Sequence, residues 1–94
     1  MKLTMFSDPS HAWLFVSQAQ LCTLGLTIKD FSRYSYHDRA GAYVEQDVDC
    51  AIVIAAHKRV LDCVPLIDYV DYPTESAYIR GLSRCGKILT ARSA

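Results

Sequence analysis

From Cys50 to Ala56 the chain reads Cys-Ala-Ile-Val-Ile-Ala-Ala, its longest unbroken apolar stretch. The residues around it suit a helix. Asp47 stands where an N-cap is wanted, Asp49 favours the positive end of the helix dipole, and Lys58 and Arg59 favour its last turns. Pro65 blocks continuation. The spacing predicts a helix from Val48 to roughly Asp62, apolar nearly all round and therefore the central, most buried element. The stretch is far shorter than the roughly 20 residues a membrane-spanning helix needs.

The remaining elements must build a core around that helix. Trp13-Leu14-Phe15-Val16 reads as a buried strand. Ser17 can cap a helix over Gln18 to Leu24, with Gly25 as its left-handed stop. A single longer helix starting at Asp8-Pro9 is the rival, and periodicity does not separate the two. Phe31 to Tyr36 alternates as a strand does, His37 to Gly41 is turn chemistry, and Ala42 to Glu45 returns as the second arm of a hairpin. Leu66 to Tyr72 is strand-like, Pro73 to Ser76 is a turn, and Ala77 to Arg80 pairs back in a second hairpin. From Cys85 onward no pattern remains. The order β-α-β-β-α-β-β predicts one small α+β domain over residues 1–94, with helices on one face of a largely antiparallel sheet. Its ordered core is expected over about 11–85, with a frayed tail at 86–94.

At 51% apolar and 21% charged residues, the composition excludes intrinsic disorder. Ten basic residues balance ten acidic ones, which excludes a strongly basic nucleic-acid binder. The charges are nevertheless segregated. Residues 38–75 carry eight acids against Arg39, Lys58 and Arg59, whereas the tail carries Arg80, Arg84, Lys87 and Arg92 with no acid. Cys22, Cys50, Cys63 and Cys85 include no close pair, and the first residues form no export signal. Reduced, mostly buried thiols in a cytoplasmic protein are expected.

Chemistry-bearing residues are few. Glu45, Asp47 and Asp49 could hold a hard cation, but the block lacks the glycine and distal glutamate of a calcium loop, and a cap accounts for much of it. His57 and Cys50 lie about two turns apart on the predicted helix, too few for zinc and too distant for a nucleophile–base pair. Ser35, His37 and Asp38 do not converge as a triad must. The four glycines are isolated, so no phosphate loop exists. Neither an enzyme nor a cofactor or metal is expected. The six tyrosines suit a half-buried sheet surface and also an interface. In Asp68-Tyr69-Val70-Asp71-Tyr72 they interleave with acids, a pattern that repels nucleic acid and complements a basic protein surface.

His11-Ala12-Trp13-Leu14, Tyr34-Ser35-Tyr36, the block Tyr43 to Asp49 and Tyr78-Ile79-Arg80 together resemble a family of small phage, prophage and mobile-element proteins of unknown function. Members read His-Gly-Trp, then Tyr-Ser-Tyr, then an aromatic-aliphatic-Glu-Glu-Asp-x-Asp block leading into a helix. Here Ala12 replaces the glycine and Gln46 the second acid. The resemblance spans about residues 11–85 and implies a phage or mobile-element origin, with no chemistry attached. By association, the expected function is inhibition of a host defence protein by direct binding, an anti-CRISPR protein being the best single reading. The expected partner is a CRISPR effector with a basic nucleic-acid channel. Contact residues would be Glu45, Asp47, Asp49, Asp68, Tyr69, Asp71 and Tyr72, with Asp68 and Asp71 as the cleaner probes, and a homodimer is compatible. The alternative is a small nucleic-acid-associated regulator using the basic C-terminal segment.

Overall fold

The computed structural model describes residues 1–72 and 78–86, apart from the side chains of Tyr78 and Arg80. Strands β1 (Lys2–Ser7) and β2 (Ala12–Ser17) open the chain, followed by helix α1 (Gln18–Leu24). A 3-10 turn at Ile28–Asp30 leads to strands β3 (Tyr36–His37) and β4 (Gly41–Glu45) and then to helix α2 (Cys50–Leu61). Strand β5 (Leu66–Asp71), a 3-10 turn at Tyr78–Gly81 and strand β6 (Ser83–Arg84) complete the described chain. The strands form one sheet in the order β5-β1-β2-β4-β3-β6, antiparallel except for the parallel pair β1 and β5. The architecture is α+β, as the pattern predicts.

Local chemistry sets several of these boundaries. The Ser17 hydroxyl accepts the Gln20 N–H while the Gln20 side chain accepts the Ser17 N–H, a reciprocal cap that starts α1 where expected. Gly25, at φ 70°, closes it. Strand plus short helix is therefore the correct reading of residues 12–24, and the longer helix is not formed. Gly41, at φ 156°, lies so close to β2 that a Cβ there would fall 2.1 Å from the Val16 carbonyl oxygen. Only glycine permits that approach.

Register sorts the side chains onto two faces. Leu3, Met5, Leu14, Val16, Ala42 and Val44 share one face and form the main core with Leu21, Leu24, Val53 and Ala56 of the two helices. Both helices thus cover that face. The opposite face carries Phe6, Trp13, Phe15, Tyr36 and Tyr43, with Ile79 and Leu82 packed over them.

Several expectations are corrected. β1 lies outside the expected ordered core, yet it sits inside the sheet between β2 and β5. Helix α2 starts at Cys50 rather than Val48, and it is buried along one side only: Val53, Ala56 and His57 are covered while Ala51 and Ala55 are exposed. Phe31 to Tyr36 is mostly turn, with β3 confined to Tyr36–His37. Tyr78–Gly81 forms a 3-10 turn in place of a strand, and β6 pairs with β3 at the far sheet edge, so no second hairpin with β5 exists among the described residues. The expected turn at Pro73 to Ser76 and the frayed tail beyond Gly86 lie outside the described residues. Cys85 is buried, Cys50 half-buried, and Cys22 and Cys63 exposed, so the thiols are not mostly buried. No helix among the described residues is long and apolar enough to cross a membrane.

Candidate functional site

The acidic block divides as the chain turns from β4 into α2. Glu45 faces the same side of the sheet as its register partner Trp13, and its Oε1 accepts the Asp47 and Val48 N–H groups at 2.8 and 2.9 Å. Asp49 occupies the N-cap position without capping, because its carboxylate turns inward. There its Oδ2 accepts the Ser32 N–H at 2.9 Å, the Ser32 hydroxyl at 2.7 Å and the Ser35 hydroxyl at 2.6 Å. The Ser35 oxygen in turn accepts the Glu45 N–H at 2.9 Å. Glu45 and Asp49 are buried, and their described bonds hold the turn together. Asp47 is exposed, and its carboxylate makes no hydrogen bond or ion pair among the described residues. The expected capping role of Asp47 is therefore not realised.

Asp47 stands at the rim of an open cleft of about 420 Å³, within the range of small-ligand and side-chain pockets. Trp13, Tyr36 and Glu45 are its buried lining; Ser10, His11, Tyr34, Val48 and Arg84 complete the walls. The Asp8 carboxylate accepts the N–H groups of Ser10 and His11, shaping the turn that brings the His11 ring parallel to Trp13 at 5.8 Å. The Arg84 guanidinium lies 5.1 Å from the centre of the Tyr36 ring and donates to the Arg33 carbonyl at 2.9 Å. Tyr34 and Val48 are about half exposed at the rim.

The other expected contact residues lie on β5 or, for Tyr72, just after it, and strand β1 stands between them and the nearest wall of the cleft, Trp13 on β2. Asp68 pairs with Lys2 at 3.1 Å in an exposed ion pair, and Asp71 accepts the Ser7 hydroxyl. Tyr69 is 69% exposed, and Tyr72 stacks on Phe6. The structure thus brings Glu45 and Asp47 together with aromatic residues, and does not bring them together with Asp68, Tyr69, Asp71 and Tyr72.

Burial, reinforced by the Asp49 charge, pushes the Cys85 thiol up to about 12. Burial and then the Glu45 carboxylate push the Cys50 thiol up as well. Both changes disfavour thiolate and hence nucleophilic use. No three His, Cys, Asp or Glu residues are grouped to hold a metal ion among the described residues. Sequence reasoning missed Tyr34, Val48 and Arg84 as one site. Tyr34 and Val48 approach through the Asp49–serine bonds, and Arg84 through the pairing of β6 with β3; neither is visible in local spacing. No family model, curated protein or solved structure matches the chain.

Proposed function

We propose that this protein acts by binding a host protein in the bacterial cytoplasm, without catalysis, and that the aromatic cleft receives basic side chains of that partner. The observation that carries this reading is the pairing of an exposed, unengaged Asp47 carboxylate with aromatic walls at one cleft mouth. An arginine or lysine entering beside Tyr34 and Val48 would lay its stem on apolar surface and bring its charge to Asp47. The Arg84 guanidinium over Tyr36 is an internal example of a cation held on this aromatic face. Clusters of such basic side chains line the nucleic-acid channels of defence effectors. The resemblance to phage and mobile-element proteins supports the same class, with anti-CRISPR inhibition as the best single reading.

Capture from host lysate tests it, because Tyr34→Ala and Asp47→Lys change exposed side chains and should leave the fold intact. Loss of a captured partner in both folded variants is the expected result. Full retention in both would place the binding surface elsewhere. A second reading rests on Arg33 and Arg84 at the β3–β6 edge, which could contact phosphates beside an exposed Tyr34 ring. Salt-dependent binding of single-stranded DNA, lost in Arg84→Ala, would favour it over the first.

A further inference from the structure

Exposed apolar residues are not scattered over this protein. Of the eight large ones among the described residues, Tyr34 and Val48 belong to the cleft, and the other six lie between Val60 and Val70. These six, Val60, Leu61, Val64, Leu66, Tyr69 and Val70, follow the end of α2 into β5 at the opposite sheet edge. We propose that this edge is a two-fold interface, in which β5 pairs antiparallel with β5 of a second copy and the sheet runs continuously through both. The inference is independent of what the cleft binds.

The backbone selects both the partner and the register. The Leu66 N–H donates to the Met1 carbonyl at 3.0 Å and the Tyr72 N–H to the Ser7 carbonyl at 2.7 Å. Peptide groups of successive strand residues alternate between the two edges, so Leu66, Asp68, Val70 and Tyr72 address β1. Ile67, Tyr69 and Asp71 therefore turn their N–H and C=O groups outward, and no strand lies beyond them among the described residues. A two-fold pairing that keeps the sheet faces continuous must centre on a residue. Centred on Tyr69, it sets Tyr69 against its own copy and Ile67 against the partner's Asp71. Every outward donor and acceptor is then used.

The neighbouring registers leave outward groups unpaired. Centring on Asp68 opposes two like charges directly and sets Asp71 against the partner's Pro65, which has no N–H. Centring on Val70 leaves Ile67 opposite a position beyond the end of β5 at Asp71. Only the register centred on Tyr69 pairs every outward group of the strand. In it, Leu66, 71% exposed, meets the partner's Tyr72 and extends the stack of Tyr72 on Phe6. Asp68 meets the partner's Val70 and keeps its ion pair with Lys2. The exposed portions of the six apolar residues amount to roughly 600 Å² per copy, so these side chains supply at most about 1,200 Å² to a dimer, the lower limit of specific interfaces, and the backbone pairing adds to it.

Sedimentation equilibrium of the full chain, from low micromolar to sub-millimolar concentration, should show a reversible dimer. Tyr69→Pro removes an N–H that the β1–β5 ladder does not use, and proline is tolerated on an edge strand in that position. It should weaken dimerisation at least tenfold while circular dichroism stays that of the folded chain. Tyr69→Lys gives the same readout should the proline variant fail to fold. Non-hydrogen-bonded antiparallel partners bring their side chains closest, which suits a disulfide. With Cys22 and Cys63 changed to serine, a mixture of Asp68→Cys and Val70→Cys chains should therefore cross-link on mild oxidation, and Asp68→Cys alone should not. A monomer at every concentration, dimerisation unchanged in the folded Tyr69 variants, or cross-linking of Asp68→Cys alone would each overturn the proposal.

Discussion

Replacing Asp49 by alanine should destabilise the protein far more than any change at a surface carboxylate. The side chain is 3% exposed and its Oδ2 accepts three hydrogen bonds. Ser32 is half-buried, so its N–H and hydroxyl can recover water once the carboxylate is gone. Ser35 is fully buried, and its hydroxyl would lose an acceptor it cannot replace. An unsatisfied buried group costs about 1–3 kcal/mol, and a hydrogen bond to a charged acceptor contributes about 1.5–3 kcal/mol. Relief of the buried charge offsets part of this. The net cost is then about 2–4 kcal/mol, a large share of the ~5–15 kcal/mol that holds a typical domain folded. Asp49→Asn keeps a carbonyl acceptor in the same place and should cost roughly half as much. Urea unfolding followed by tryptophan fluorescence reads both, with the midpoint lowered and the slope unchanged. A loss below about 0.5 kcal/mol for Asp49→Ala, the range of ordinary surface substitutions, would refute this account of the β4–α2 turn.

Stability should also fall in alkali. Since the Cys85 thiol is raised from 9.0 to about 12 in the fold, the unfolded chain ionises first as pH rises. The contribution is complete below pH 9 and is lost progressively between pH 9 and about 12. Unfolding titrations across that window should show a shallower decline in Cys85→Ala than in the parent; parallel declines would count against it. Gly41→Ala should prevent folding or lower the melting temperature severely, because the added methyl meets backbone at Val16 and not a movable side chain. A near-parental melting temperature would mean that β2 and β4 are not registered as described.

What could be read from sequence was whatever local chemistry decides. The Ser17 cap and the Gly25 stop lie seven residues of helix apart, and each acts on its immediate neighbours. The turn from His37 to Gly41 is equally local, with the Asp38 carboxylate accepting the Ala40 and Gly41 N–H groups. β1 is less legible although Leu3 and Met5 alternate with Thr4 and Phe6, because Asp8-Pro9 after it equally suits a helix start, and only its pairing with β2 on one side and β5 on the other fixes it as an inner strand. The apolar run of α2 predicts burial all round, whereas the helix lies on a single sheet and only Val53, Ala56 and His57 are buried. At the site, the sequence marks Asp68 and Asp71 as the cleaner probes, since Asp47 stands where an N-cap is wanted. The side-chain partners reverse that choice: Lys2 and Ser7 engage the first two, and Asp47 is the carboxylate that can be altered without breaking a described bond.

The strand order has a kinetic consequence. Both outer strands, β5 and β6, come from the last third of the chain, yet each completes an edge begun near the start or middle: Lys2 is registered against Leu66, and Tyr36 against Arg84. Until the ribosome has released residue 71, β1 has only β2 beside it, and its Leu3 and Met5 lack part of their cover. Closing such long loops precedes any gain from the contacts they bring, which slows folding relative to a chain with local pairings. The hairpin of β1 and β2 therefore waits as an open template during synthesis, and partial chains ending before β5 expose a sticky edge that the finished protein hides.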